Sequence, residues 1–281
     1  MKELSLRDGR RKVLNWSAIT VLCVLSFLAI TPLFFIFSYL TVRGAGGLSL
    51  AFFTELPKPV GEIGGGMANA IGGSLILIAI ASSFGIPIGL ACGVALSELK
   101  VGVTVRALRL SVDLLTSVPS IVIGLFAYAV VVVPMRGYSA WAGGFALSIV
   151  MIPIVARSTE EILRLVPSHV YEAGLALGLP RWKVLLRLII PGVRAGVTTG
   201  ILLASARVSG ETAPLLFTAF SNSFGFRGLD QPIASLPVQI FTYATSHDDT
   251  WRQLAWTGAL VLVFVVFLLN LVTRFLIRRR E

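Results

Sequence analysis

The sequence predicts an all-α integral membrane protein with six transmembrane helices. Two observations carry this prediction. The 281-residue chain is 56% hydrophobic and only 14% charged, whereas a soluble domain carries about 25% charged residues. The chain also contains six apolar stretches long enough to cross a bilayer, which takes about 20 residues. These predicted spans lie near 17–41, 68–97, 110–133, 138–156, 196–220 and 253–277.

The distribution of Lys and Arg predicts the orientation. The N-terminus, the loop at 98–109, the loop at 157–195 and the C-terminus together hold 18 of the 24 Lys and Arg residues, and the alternate loops hold five. By the positive-inside rule both termini should face the cytoplasm. The domain organisation is then a cytoplasmic segment over 1–16, one transmembrane domain over 17–277 and a basic tail over 278–281, with periplasmic loops at 42–67 and 221–252 and a cytoplasmic loop at 157–195.

The same placement of charge argues against a nucleic-acid groove, although the net charge is +10. The basic residues flank the predicted spans, where they meet anionic lipid. Cys23 and Cys92 lie in apolar runs, and His169 and His247 are far apart without neighbouring ligands. We therefore expect no disulfide, no metal site and no catalytic residue.

Two spans contain features that shape a helix bundle. Ala81, Gly85, Gly89 and Gly93 are spaced four apart, which favours close packing of another helix. Pro119 interrupts the third span beside hydroxyl side chains, and freed backbone groups at membrane depth must face protein or a wet cavity. Either an ordinary kink or a cavity wall accounts for this break.

The long loop at 157–195 predicts a helical elbow. Ser168 is a good N-cap for a helix over 169–177, Gly178 fits its C-terminal cap, and Pro180 can open a second helix that Pro191 ends. Such an elbow either is structural or docks into a partner's groove.

This loop resembles that of permease subunits of ATP-binding-cassette importers, which have the form Glu-Ala-Ala, three residues, Gly, nine residues, Ile-x-Leu-Pro. The residues at the corresponding positions are Glu172, Ala173, Gly174, Gly178, Leu188, Ile190 and Pro191. Of these, Gly174, Leu188 and Ile190 differ from the residue type in the pattern. The resemblance implies a type I importer permease fold and a coupling helix over 168–180, including Pro180, that docks on an ATPase subunit. The sequence lacks the G-x-x-x-x-G-K-[ST] phosphate loop. ATP and Mg²⁺ should therefore bind a separate subunit, and we expect no cofactor on this chain.

A second resemblance covers nearly the whole chain and is to the A-type permeases of bacterial high-affinity phosphate importers. It is carried by GGGMANAIGGS, SVPSIVIGLFAY, ALGLPRWK, GILLASARVSGETAPLLFTAFSN, QPIASLPVQIF and QLAWTGALVL. The resemblance implies a non-catalytic subunit in the bacterial inner membrane. It also implies a C-type permease as heterodimer partner, two ATPase subunits and a periplasmic or lipoprotein phosphate-binding protein.

Arg207 and Glu211 stand out because they are charged residues within a predicted span. They are four apart, so they can meet on one helix face. A structural ion pair is one interpretation; a transient phosphate contact at Arg207, with Glu211 satisfying the cation between transport events, is the other. Thr212, Thr116, Ser117, Ser120 and Asn69 are further candidates to line the route, or else bond between helices.

Three alternatives stay open. The chain could carry another oxyanion, such as sulfate, molybdate or phosphonate, since an arginine serves any of them. It could be a membrane component of phosphate sensing. A secondary transporter working alone is disfavoured, because the sequence shows a single elbow and no internal repeat.

Overall fold

The computed structural model describes residues 2–62, 64–99 and 102–278, and the regular secondary structure of the described part is all helical. The helices are α1 (Lys2–Ala45), α2 (Leu50–Thr54), α3 (Ala68–Glu98), α4 (Val103–Ser117), α5 (Ser120–Ala127), α6 (Val133–Met135), α7 (Ala140–Arg164), α8 (Ser168–Ala176), α9 (Arg181–Val184), α10 (Ile190–Gly192), α11 (Arg194–Ser209), α12 (Ala213–Thr218), α13 (Leu236–Ala244) and α14 (Asp249–Arg278). In the predicted basic tail, 279–281 lie outside the described residues.

By length and composition, the described residues contain four candidate membrane spans, or up to six if each of two bent helix pairs is one span. Four are long helices, at Leu14–Ala45, Ala68–Glu98, Ala140–Arg164 and Asp249–Leu268. Two more are bent pairs: Val103–Ser117 with Ser120–Met135, at 105°, and Arg181–Gly192 with Arg194–Ser209, at 74°. The all-helical fold with up to six spans agrees with the sequence prediction.

The centre of the bundle is the pair α3 and α7, and the small residues of α3 permit their contact. A Cβ on Gly89 would lie 2.7 Å from Val155 Cβ, and one on Gly93 would lie 2.6 Å from the backbone oxygen of Ala156. Glycine is required here because the facing helix occupies the place of a side chain. The predicted packing role of this stripe is confirmed.

The break at Pro119 is also confirmed, since α4 ends at Ser117 and α5 begins at Ser120. A related feature was not expected. Within the described residues, π turns occur at Tyr128–Val132 and Leu185–Ile189, and each is followed within two residues by a proline, Pro134 or Pro191. A proline has no N–H for the preceding turn, so the helix rearranges its hydrogen bonds there.

Two predicted helix limits were wrong. The span predicted over 196–220 is not one helix, because α11 ends at Ser209 and the chain breaks before α12. Gly210 caps α11, and Pro214 offers no N–H to the carbonyl of Gly210 one turn earlier. The span predicted over 138–156 is too short, since α7 continues to Arg164.

Candidate functional site: a helical elbow and a charged helix break

The predicted elbow is present, and its first helix, α8, covers Ser168–Ala176. Gly178 follows it with φ of +77°, a conformation that glycine adopts without strain. Pro180 lies one position earlier than expected, as the N-cap of α9. Pro191 lies inside α10, which ends one residue later at Gly192.

The residues of the elbow separate into a buried side and an exposed side. Gly174 is buried, and a Cβ there would lie 2.8 Å from Val184 Cγ2. The departure from alanine at this position therefore lets α9 approach closely. Glu172 and Ala173 are exposed, as are Leu175 and Leu177. The exposed side offers both charge and apolar surface to a partner.

One side chain of α8 reaches back to the bundle. The hydroxyl of Tyr171 donates a hydrogen bond to Glu98 Oε1, at the end of α3. The pKa of Tyr171 is raised, first because burial disfavours the phenolate and then because the hydroxyl donates to a carboxylate. The phenol therefore stays protonated at neutral pH and ties the elbow to α3. Sequence reasoning missed this pair, whose members are 73 residues apart.

Arg207 and Glu211 do meet, but not as predicted. Arg207 is in the last turn of α11, whereas Glu211 lies in the break after it, so the two do not share one helix face. Arg207 Nη2 lies 3.4 Å from Glu211 Oε1. The Arg207 side chain is 64% exposed in the single chain, while that of Glu211 is only 12% exposed. The Glu211 side chain is thus largely buried, whereas the Arg207 side chain is largely exposed.

The break that holds Glu211 packs against the other broken span. A Cβ on Gly124, in α5, would lie 2.7 Å from Pro214 Cα and 3.4 Å from the backbone oxygen of Ala213. Thr212, the N-cap of α12, and Ser120, the first residue of α5, both belong to this region. The fold therefore packs α5, which follows the break at Pro119, against the start of α12, which follows the break at Gly210.

The remaining candidates are placed differently. Ser117 donates its hydroxyl to the carbonyl of Leu114 at 2.9 Å, and Thr116 bonds to Val112 in the same way. Asn69 lies in the first turn of α3, where its amide donates to the carbonyl of Asn222 at 2.6 Å and holds the loop after α12. Asn69 also lines a cavity of about 220 Å³, together with residues of that loop.

A charged cluster that sequence reasoning missed lies where α4 meets α7. Glu160 is 2% exposed, and its carboxylate lies 2.7 Å from Arg109, 2.8 Å from Arg164 and 2.9 Å from Arg157. Only Arg157 is aligned for a hydrogen bond, and it also pairs with Asp113 of α4. The spacing of Arg157, Glu160 and Arg164 on one helix face was a usable signal, but Arg109 comes from another helix.

Comparisons with known proteins identify the family of this chain. Residues 85–281 match the family described as "Binding-protein-dependent transport system inner membrane component". A relative from Yersinia pestis, "Phosphate transport system permease protein PstA", is 41% identical, with 99% of this chain and 97% of the relative covered. A relative of the same name from Xylella fastidiosa (strain Temecula1) is 43% identical, with 97% and 95% covered.

Solved structures show the same fold. The structure "Inward facing conformations of the MetNI methionine ABC transporter" matches with a TM-score of 0.64 and 18% identity, covering 76% of this chain and 96% of that one. The family match, the relatives and the fold together define the class of protein: a multi-pass membrane permease subunit of an ATP-binding-cassette transporter. The chain belongs to the family of binding-protein-dependent transport inner membrane components, and within it to the PstA phosphate transport permeases. This family implies ATPase and substrate-binding partners.

Proposed function

We propose that this chain forms half of the translocation route of an ATP-driven importer of inorganic phosphate. The names of its relatives support phosphate as cargo. The observation that carries the proposal is the loose pair of Arg207 and Glu211 at a helix break. A guanidinium offers forked donors that fit two phosphate oxygens, and it stays charged in poorly hydrated surroundings.

The two arginine–carboxylate groups of this chain differ in a way that separates structure from function. The arginine nitrogens lie 2.7 to 2.9 Å from the oxygens of Glu160, and Arg157 donates a charge-assisted hydrogen bond to it. Arg207 lies 3.4 Å from Glu211 and is mostly exposed. A pair at this distance holds the cation without saturating its donors, so Arg207 keeps N–H groups for an anion.

Glu211 has the complementary role in this proposal. It compensates Arg207 when no anion is bound, and it competes with phosphate for the same guanidinium. Both effects shorten the stay of the cargo, which a transporter must release. Thr212 lies in this break and Ser120 opens α5, which packs against α12. Both offer hydroxyl donors to a partly dehydrated anion, with Ser117 and Asn69 as more distant contributors.

We place the elbow, with Glu172, Ala173, Gly174, Gly178, Pro180 and Pro191, at the contact with an ATPase subunit. The chain itself binds no cofactor; ATP and Mg²⁺ belong to the ATPase, and the chain is not an enzyme. The assembly comprises a PstC-like second permease, two PstB-like ATPase subunits and a PstS-like phosphate-binding protein. Both termini face the cytoplasm, and the chain resides in the inner membrane.

The cargo contact is tested by Arg207→Gln in the complete transporter, with Arg207→Lys as the charge-preserving variant. Arg227→Gln, in the loop after α12, is the matched control. We expect Arg207→Gln to abolish phosphate uptake while assembly and ATP hydrolysis persist, and Arg207→Lys to retain part of the uptake. Near-normal uptake by Arg207→Gln would sink the proposal. Equal competition by sulfate, molybdate or a phosphonate would instead assign another oxyanion.

The docking role of the elbow is tested at Gly178. A tryptophan there adds bulk at the exposed turn, whereas asparagine tolerates the same positive φ. We expect Gly178→Trp to lose co-purification with the ATPase, or to hydrolyse ATP without transport, and Gly178→Asn to remain coupled. Normal association and coupled transport by Gly178→Trp would exclude this surface as the ATPase contact.

A further inference from the structure

A cavity of about 580 Å³ opens between α1, α13 and α14, at the end of the bundle away from α8. It has a charged part and an apolar part. The lining includes Arg43, Arg252, Asp249, Tyr39, Trp256 and Ala259. We call it the α1–α14 cavity. Its volume is in the range of pockets that hold an organic ligand and far exceeds what an inorganic anion fills.

The crossing of α1 and α14 fixes the two arginines in place. Gln253 donates its side-chain amide to the backbone oxygen of Arg43 at 2.7 Å, and Thr257 donates to that of Gly44 at 3.0 Å. A Cβ on Gly44 would lie 2.8 Å from Leu260 Cβ, so the helices touch without a spacer. Arg43 and Arg252 both line the cavity beside this crossing.

Neither guanidinium is held tightly by a carboxylate. Arg252 pairs with Asp249 three residues earlier, but Asp249 is 92% exposed and Arg252 is 50% exposed, so water competes for this pair. Arg43 lies over the ring of Tyr39, with Cζ 5.5 Å from the ring centroid. The three charged residues leave the charged part of the cavity net positive.

The apolar part begins where the charges end. Tyr39 and Trp256 form an edge-to-face pair with ring centroids 5.2 Å apart, and Ala259 continues the wall one turn along α14. On α1 the apolar side chains of Phe35 and Ile36 are exposed beside it. Aromatic residues at span ends mark the level of lipid headgroups. A ligand that fits this lining has a phosphate at one end and hydrocarbon at the other.

We propose that the α1–α14 cavity binds the phosphate group of a membrane phospholipid, with a preference for an anionic headgroup. The guanidiniums of Arg43 and Arg252 hold the phosphate, and the acyl chain follows Trp256 and Ala259. Basic sites between transmembrane helices attract anionic headgroups by the same combination of charge and apolar contact. Free inorganic phosphate would make the contact with the two guanidiniums but not the apolar contact with Trp256 and Ala259.

The test uses the purified transporter in detergent, with brominated phosphatidylglycerol as probe and tryptophan fluorescence as readout. The difference between the wild type and Trp256→Phe isolates the signal of Trp256. We expect saturable quenching of Trp256 by brominated phosphatidylglycerol and weaker quenching by brominated phosphatidylcholine. The double variant Arg43→Gln/Arg252→Gln should shift the midpoint about 30-fold, since two hydrogen-bonded contacts to the phosphate are lost. Arg227→Gln should not shift it.

Several outcomes overturn the proposal. Absence of quenching in the wild type would show that another molecule, such as the second permease, covers the cavity, and quenching that does not saturate would show only non-specific contact with bulk lipid. An unchanged midpoint in the double variant would remove the arginines from the site. Displacement of the probe by inorganic phosphate would assign the charged part to the free anion. If the double variant does not assemble, the wild type still provides a test. Equal quenching by the two brominated lipids would then be sufficient to refute the anionic preference.

Discussion

Replacing Glu160 by glutamine should destabilise the chain more than the same replacement of Glu161, the other carboxylate of α7. The substitution keeps the shape of the side chain but removes the charge that Arg109, Arg157 and Arg164 share. Those three side chains are 34%, 29% and 53% exposed, so water takes over part of each contact. Taking about 1 kcal/mol for each of the three ion contacts, the upper end for partly exposed pairs, gives about 3 kcal/mol in all. Breaking a buried ion pair costs a similar amount.

This loss is measurable as a change in the thermal midpoint. A domain of this size shifts by about 2–4 °C for each kcal/mol, which predicts a fall of about 6–12 °C. The assay is thermal denaturation of the purified transporter in detergent, followed by size-exclusion chromatography. Glu161→Gln is the matched control, because Glu161 is the exposed neighbour on the same helix. A midpoint for Glu160→Gln no lower than that of the control would refute the reasoning.

A second substitution distinguishes charge from shape. In Glu160→Gln the arginines remain close together without their counter-ion, so part of the cost is their mutual repulsion. Adding Arg109→Gln to Glu160→Gln should then restore part of the midpoint, and the two effects should not add. Strictly additive losses would mean that Glu160 acts through packing and not through the shared charge.

Three further predictions follow from single contacts. Gly89→Ala should lower the thermal midpoint, since its Cβ would lie 2.7 Å from Val155 Cβ. Gly72→Ala is the control and should leave the midpoint unchanged, because Gly72 is on the same helix with open space around it. Equal effects of the two substitutions would contradict the packing of α3 against α7. Tyr171→Phe should transport less phosphate for each ATP hydrolysed, because α8 loses its bond to Glu98; an unchanged ratio would exclude that link. The pKa of Tyr171 is raised in the fold, so the folded chain holds this proton more tightly than the unfolded chain. Stability should therefore fall as pH rises above about 10, and Tyr171→Phe should flatten that fall in a pH series of thermal midpoints.

The features that sequence reasoning predicted depend on local chemistry. Gly178 and Pro180 mark the elbow because the backbone at each position admits few residue types, and Pro119 marks a break because it lacks an N–H. The glycines of α3 mark a helix contact because their spacing puts them on one face. Such constraints act within a few residues, so they can be read without knowledge of the fold.

The features that it missed depend on tertiary contact. Nothing near Glu160 in the sequence indicates Arg109, which reaches it from α4, and nothing near Tyr171 indicates Glu98. The end of α11 at Ser209 was missed for a different reason. The apolar stretch continues to Phe220, so hydropathy predicted a single helix, although Gly210 and Pro214 together end it. Hydropathy reports burial in lipid and is insensitive to the hydrogen bonds that a proline removes.

These contacts decide where the chain can change shape. Tyr171 ties α8 to α3, and Glu160 ties α4 to α7. The glycine contacts of Gly89 and Gly93 lock α3 and α7 together, because neither helix can slide past side chains that fill the place of a Cβ. We expect motion that enters at α8 to move these helices as one body. The change in backbone angles then falls on the breaks at Pro119 and Gly210, and the second of these holds the guanidinium and carboxylate that we propose as the cargo contact.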